Sequence, residues 1–137
     1  MGVRTANAID FIFGRRDMAE LIWAVKTLEV AARLSEDCCQ LMAVHDGNRP
    51  LVQLVYLMKS CNRSAPSMEV VSTILDILIN IGRVESTRSS LAAVPQLIPD
   101  ILMIMQVHKD ISHHIFGKSC ALLQLLSPFS SEVRYRF

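Results

Sequence analysis

Residues 24–44, AVKTLEVAARLSEDCCQLMAV, lie over residues 74–94, ILDILINIGRVESTRSSLAAV, at a shift of 50 positions without a gap. Leu28 falls on Leu78, Arg33 on Arg83, Leu41 on Leu91, Ala43 on Ala93 and Val44 on Val94. Self-similarity near a period of about 40–47 residues marks arrays of two- or three-helix units. Each such unit buries its apolar face against its neighbours and leaves an extended surface for partners.

Working outward, the same helix order appears twice. Asp17 can cap a helix whose apolar positions Leu21, Ala24, Val25, Leu28, Ala31 and Ala32 recur at helical spacing. Ser35, followed by Glu36 and Asp37, begins a short helix that stops near Asp46-Gly47-Asn48. Pro50 opens a middle helix to about Ser60, and Pro66 opens a long one through about Ile81. Gly82 is expected to close that helix in a left-handed conformation. Ser86–Ala93, Pro99–Val107 and about Asp110–Leu126 then repeat the order short, middle, long. Pro95 and Pro99 force a sharp turn over Val94–Ile98.

The expected fold is all-α: an armadillo/HEAT-like α-solenoid with two three-helix repeats, about 35–83 and 84–126, plus flanking helices. Residues 1–16 read as a lead segment with a short helix over Ile9, Phe11, Ile12 and Phe13 ended by Gly14; residues 17–137 form the repeat domain. Residues 127–137 start an incomplete further unit that leaves Tyr135 and Phe137 uncovered. So few units imply a fragment or a short form, because about three are usually needed for stability.

Composition narrows the function classes. The 137 residues are 51% hydrophobic but only 6% aromatic, so the core must be aliphatic and thiol-lined. A net charge of +1 gives no bulk attraction to nucleic acid or to a membrane, and neither is expected as a partner. No apolar run reaches the ~18 residues that span a bilayer. The start Met1-Gly2-Val3-Arg4-Thr5-Ala6 lacks the Ser or Thr of a myristoylation signal. Cys38, Cys39, Cys61 and Cys120 have no CxxC spacing and read as reduced thiols in a core.

Neither metal nor cofactor is expected. His113 and His114 diverge around a helix start, and His108 ends the preceding helix, so the three form a loop-edge group. No nucleophile elbow, phosphate-binding Gly loop or HExxH pattern exists, which argues against an enzyme and for no catalytic residue. Met58, Met68, Met103 and Met105 read as core fillers, and Trp23 as packing against the lead segment.

Leu78-Ile79-Asn80-Ile81 is similar to the Leu-x-Asn-Leu of armadillo third helices, whose amide faces the peptide groove. Asp76 lies one turn earlier. The 50-residue shift puts Lys26 and Val30 at the equivalent points, and a shift of 46 puts Leu122 and Leu126 there. Arg33 and Arg83 end equivalent long helices, and Arg63 sits with Lys59 beside the loop before one of them. Rows of equivalent residues align when repeats stack, so Arg33 and Arg83 should be neighbours. The expected partner-binding set is Lys26, Arg33, Arg63, Asp76, Asn80 and Arg83.

Ser60-Cys61-Asn62-Arg63-Ser64, followed by Pro66 and Met68-Glu69-Val70, resembles the C-terminal armadillo-like region of the abnormal spindle (microcephaly-associated) family. Leu34-Ser35-Glu36, Cys39-Gln40 and Met42-Ala43 upstream are similar to it as well. So are Phe116-Gly117-Lys118-Ser119-Cys120-Ala121-Leu122-Leu123 and Ser131-Glu132-Val133-Arg134 downstream. The resemblance implies a non-enzymatic scaffold at microtubule minus ends and spindle poles, acting in mitotic spindle organisation. It implies placement in the cytoplasm and cytoskeleton at the spindle pole, with the nucleus in interphase. Family partners are microtubules, katanin and calmodulin; no IQ-type Gln-x-x-x-Arg-Gly occurs here, so calmodulin is not expected through this segment. The alternatives are an armadillo-type adaptor for extended peptides, or a structural spacer.

Overall fold

The computed structural model describes residues 17–44 and 49–129. The expected lead segment, the stop at Asp46-Gly47-Asn48 and the run from Ser130 to Phe137 lie outside the described residues. The elements are α1 (Met18–Leu34), α2 (Glu36–Val44), α3 (Arg49–Ser60), α4 (Ala65–Arg83), α5 (Glu85–Ala92), α6 (Leu97–His108) and α7 (His113–Leu126). A 3-10 turn, Ser127–Phe129, follows. No strand occurs among the described residues, and the chain is all-α.

Helix starts follow the local chemistry. The Asp17 carboxylate accepts the Glu20 N–H at 2.9 Å, and Ser112 Oγ accepts the Ile115 N–H at 3.2 Å. Ser35 Oγ accepts the Cys38 N–H at 3.3 Å, and Ser64 Oγ accepts that of Ser67 at 3.4 Å. Each satisfies a donor that the first helical turn leaves without a backbone partner.

Two turns differ from expectation. Gly82 does not close α4: the helix runs on to Arg83, and Val84 caps it in an extended conformation. Close packing is what uses the glycine, since a Cβ there would lie 3.3 Å from Leu125 Cδ1 and 3.5 Å from Leu91 Cδ2. The left-handed residue is instead Gln96, at φ 67°, in the turn between α5 and α6. That turn bends the chain by 84° from α5 to α6. A non-glycine side chain held there costs roughly 1–2 kcal/mol, which the surrounding packing must offset.

Packing repeats along with the sequence. The most extensive contacts join α1 to α4 and α4 to α7, giving a row of three long helices. α2 packs on α5, and α3 on α6, so corresponding members of the triplets α2–α4 and α5–α7 meet. The core is aliphatic throughout: Leu28, Leu51, Leu54, Ile74, Leu78 and Leu122 are among its fully enclosed side chains.

Burial fixes the register between the long helices. Leu21, Ala24, Val25, Leu28 and Ala32 of α1 are buried, and their counterparts 50 residues on, Val71, Ile74, Leu75, Leu78 and Gly82, are buried too. Between α4 and α7 the best shift is 45: Val70, Ile74, Ile77, Leu78 and Ile81 correspond to Ile115, Ser119, Leu122, Leu123 and Leu126, all buried. Leu122 and Leu126 are therefore core residues and not groove positions. At the shift of 45, Ala121 and Leu125 take those places.

α4 is long and apolar enough to cross a membrane by length and composition, which corrects the expectation that no run is. Its apolar side chains are spent on protein neighbours: 56% of the relevant window is buried inside the fold. A central core helix has this composition for the same reason a spanning helix does, namely apolar contact on nearly every side.

Candidate functional site

α4 leaves a single stripe uncovered. Glu69, Thr73, Asp76, Asn80 and Arg83 alternate at steps of four and three residues, so they share one face of the helix. Every residue from Ile74 to Gly82 other than Asp76 and Asn80 is buried.

The lower half of the stripe opens into a groove of about 400 Å³ between α1, α4 and α7. Glu29 and Arg33 of α1 form one wall, and Gly117, Lys118 and Ala121 of α7 form the other. Asp76, Ile79, Asn80 and Arg83 make the floor. Arg33, Asn80 and Arg83 also line an adjoining hollow of about 360 Å³ with Ser35 and Glu36. The structure thus brings together four of the six expected residues: Arg33, Asp76, Asn80 and Arg83.

Both carboxylates in the groove are already paired. Arg33 Nε donates to Glu29 Oε1 at 3.1 Å, one helical turn away. Lys118 Nζ donates to Asp76 Oδ2 at 2.9 Å and to Ser72 Oγ at 2.7 Å, tying α7 to α4. Arg83 forms no ion pair and the Asn80 amide no side-chain hydrogen bond among the described residues. Three cations therefore face two carboxylates, and the surplus charge is positive.

Arg83 is held in place by its successor helix. Arg88 Nε donates to the Gly82 carbonyl at 2.6 Å, and its Nη2 to the Arg83 carbonyl at 3.4 Å. Thr87 Oγ1 donates to the Ile81 carbonyl at 2.8 Å. A cation and a hydroxyl thus donate to the last carbonyls of α4, of which that of Ile81 also accepts the Val84 N–H at 3.2 Å.

The other two expected residues lie elsewhere. Lys26 pairs with Glu69, farther up the α1–α4 seam, and is not part of the groove. Arg63 lines a separate cavity with residues of α3 and α6. The sequence reading missed Lys118, whose partner Asp76 lies 42 residues away. It also placed His108 with loop-edge histidines, whereas His108 is 5% exposed and its Nδ1 lies 3.0 Å from the Ile104 carbonyl.

The thiols behave as core groups. All four cysteines are reduced, Cys38 and Cys39 are buried, and Cys39 Sγ donates to the Ala32 carbonyl at 3.3 Å. Burial, then the neighbouring Cys38 and Glu36, push the Cys39 thiol up to about 11. Burial also raises that of Cys120. Among the described residues no group of three or more His, Cys, Asp or Glu is placed to hold a metal ion.

Sequence comparison then bears on this geometry. The chain is 34% identical over 97% of its length to the abnormal spindle-like microcephaly-associated protein homolog of Gorilla gorilla gorilla. It is 33% identical over the same share to the Homo sapiens protein of that name, and 33% over 90% to the Bos taurus homolog. The chain belongs to this family. It spans about 4% of the length of the abnormal spindle-like relatives it matches. No family model and no solved structure matches. The name of the abnormal spindle-like relatives ties them to the spindle, and the aligned share covers α1 to α7, including the groove.

Proposed function

We propose that this segment is a non-enzymatic docking module of a spindle-associated protein, and that the groove between α1, α4 and α7 takes an extended acidic stretch of a partner. One observation carries the reading: Arg33, Asn80 and Arg83 share a groove whose two carboxylates are already paired. An acidic segment finds there an unpaired guanidinium, which favours bidentate contact with a carboxylate. The neighbouring amide can both donate to and accept from an extended backbone. The abnormal spindle-like relatives support placing this activity at the spindle pole, within the cytoplasm and cytoskeleton, during mitotic spindle organisation. The acidic surface of microtubules and the proteins that gather there are the partner class.

A ladder of groove amides, as a general peptide adaptor would need, is not built here. The positions equivalent to Asn80 are Val30 and Leu125. Recognition in this groove is therefore by charge more than by backbone reading.

The test is the double substitution Arg33→Glu with Arg83→Glu, read by capture from mitotic extract and by microtubule co-sedimentation. Both are exposed in the last turns of their helices, so folding should survive. Binding in at least one assay should fall about tenfold or more, as expected for reversing complementary charge. Unchanged capture and unchanged pelleting would leave this segment a spacer.

A further inference from the structure

The hollow that adjoins the groove has a composition of its own. It measures about 360 Å³. Arg33 and Ser35 line it from the end of α1, Glu36 from the start of α2, and Asn80 and Arg83 from α4. Arg33, Asn80 and Arg83 line the groove as well, so the two spaces meet at these three side chains. Two guanidinium groups from different helices therefore share one small hollow.

Counting donors against acceptors decides the chemistry. Arg33 gives its Nε proton to Glu29, which holds the guanidinium and leaves both terminal amino groups to donate. The Arg83 side chain forms no ion pair among the described residues. Ser35 Oγ accepts the Cys38 N–H at 3.3 Å, so its own proton remains to be given. Among the described residues Glu36 is the one carboxylate lining the hollow, and it forms no ion pair with either arginine. Its place in the first turn of α2 is favoured by the helix dipole. Donors thus outnumber acceptors, and two positive charges face one negative.

We infer that this hollow takes the phosphate of a phosphoserine or phosphothreonine within the acidic segment; the inference rests on the groove reading above and names the residue that anchors the partner. A carboxylate has two coplanar oxygens and is satisfied by one guanidinium fork, which leaves the second arginine without a full pair. A phosphate monoester carries a charge of about −1.5 to −2 and three strong acceptor oxygens. Arg33 from α1 and Arg83 from α4 can each take one edge of it, and the Ser35 hydroxyl can donate to what remains. Asn80 stands where hollow and groove meet, placed to bond the main chain beside the phosphorylated residue. That makes the carrier of the phosphate a peptide.

The experiment titrates the 137-residue chain with three fluorescein-labelled peptides. They are Glu-Glu-Ser-Glu-Glu with its serine phosphorylated, the same peptide unphosphorylated, and Glu-Glu-Glu-Glu-Glu. The phosphorylated peptide should bind about tenfold or more tighter than the all-Glu one, the scale of one added charge-assisted hydrogen bond. Its phosphorus resonance should shift on binding. Arg33→Lys and Arg83→Lys keep the charge and remove the fork, so each should erase most of that margin while changing the all-Glu affinity about twofold or less. Glu36→Gln should tighten the phosphorylated peptide more than the all-Glu one, because that carboxylate lines the hollow. Equal affinity for the phosphorylated and all-Glu peptides overturns the inference and leaves the acidic-groove reading standing. A margin that survives both lysine variants, or that ignores Glu36→Gln, overturns it too. If none of the three peptides binds, the inference falls, and capture with Arg33→Glu and Arg83→Glu decides the groove independently.

Discussion

The two triplets are built from the same parts but sit differently. The first, α2–α4, has α1 on one flank and α5–α7 on the other; the second is covered by the first alone among the described residues. The difference reaches every level. α2 buries Cys38, Cys39, Met42 and Ala43, whereas α5 buries only Thr87 and Leu91. α4 exposes one polar stripe, whereas α7 exposes or half-exposes nine of its fourteen residues. Position in the array, more than descent from a common repeat, dictates which residues must be apolar. That is also why α4, among the described residues, is long and apolar enough to span a membrane as a single helix.

The contrast breaks first under core truncation. Ile77 and Leu122 are equivalent by burial, and neither is exposed to solvent. Ile77→Ala should cost about 2–5 kcal/mol in urea denaturation, and Leu122→Ala should lie at the lower end of that range. α7 has fewer neighbours, so its site relaxes more readily around the lost methyl groups. Equal losses would mean that the two flanks stabilise the triplets alike.

Alkaline titration probes the same contrast through α2. Cys39 is enclosed and its thiol is pushed up to about 11 in the folded state, above the ordinary value of 9.0. A raised folded value means that the native chain holds the proton more tightly. Its contribution is therefore full below pH 9 and is lost as pH rises through 9 towards about 11. Stability followed by circular dichroism should fall across that window, and Cys39→Ala should flatten the fall. The position equivalent to Cys39 at the shift of 50 is Ser89, which is exposed and carries no such titration.

The smallest effect comes from the two helical glycines. A Cβ on Gly117 of α7 meets nothing within 4 Å, so Gly117→Ala should stabilise by about 0.5–1 kcal/mol through helix propensity alone. Gly82 of α4 is packed against Leu125 and Leu91, so the same change there should give less, or reverse sign. Thermal melts of the two variants separate the outcomes. A larger gain at Gly82 would show that the α4–α7 contact is looser than described.

The long-helix pattern was legible in the sequence where burial agrees between neighbours. α1 and α4 bury the same positions, so a plain shift of 50 aligns them and brings Arg33, Asn80 and Arg83 to one groove. α7 evaded that reading because its buried positions match those of α4 at a shift of 45 instead of 46 or 50, which puts Leu122 and Leu126 in the core. Lys118 was hidden for a different reason. Its role depends on where α7 lies against α4, and no local pattern encodes a contact 42 residues long. His108 misled because a histidine at a helix end ordinarily meets water, whereas here α6 ends against α3 and α4. Gly82 misled because a glycine near a helix end signals a cap and a close approach equally well.

The pairing of Glu29 with Arg33 and Asp76 with Lys118 has a kinetic corollary. With two of its three cations cancelled locally, the groove keeps only a small net positive charge, whose field fades beyond a Debye length of about 8–10 Å. Long-range guidance of an incoming chain is then weak, and encounter runs at the unassisted pace of about 10⁵–10⁷ M⁻¹s⁻¹. Added salt should lengthen the wait only slightly while shortening the stay, so ionic strength would act on departure more than on arrival.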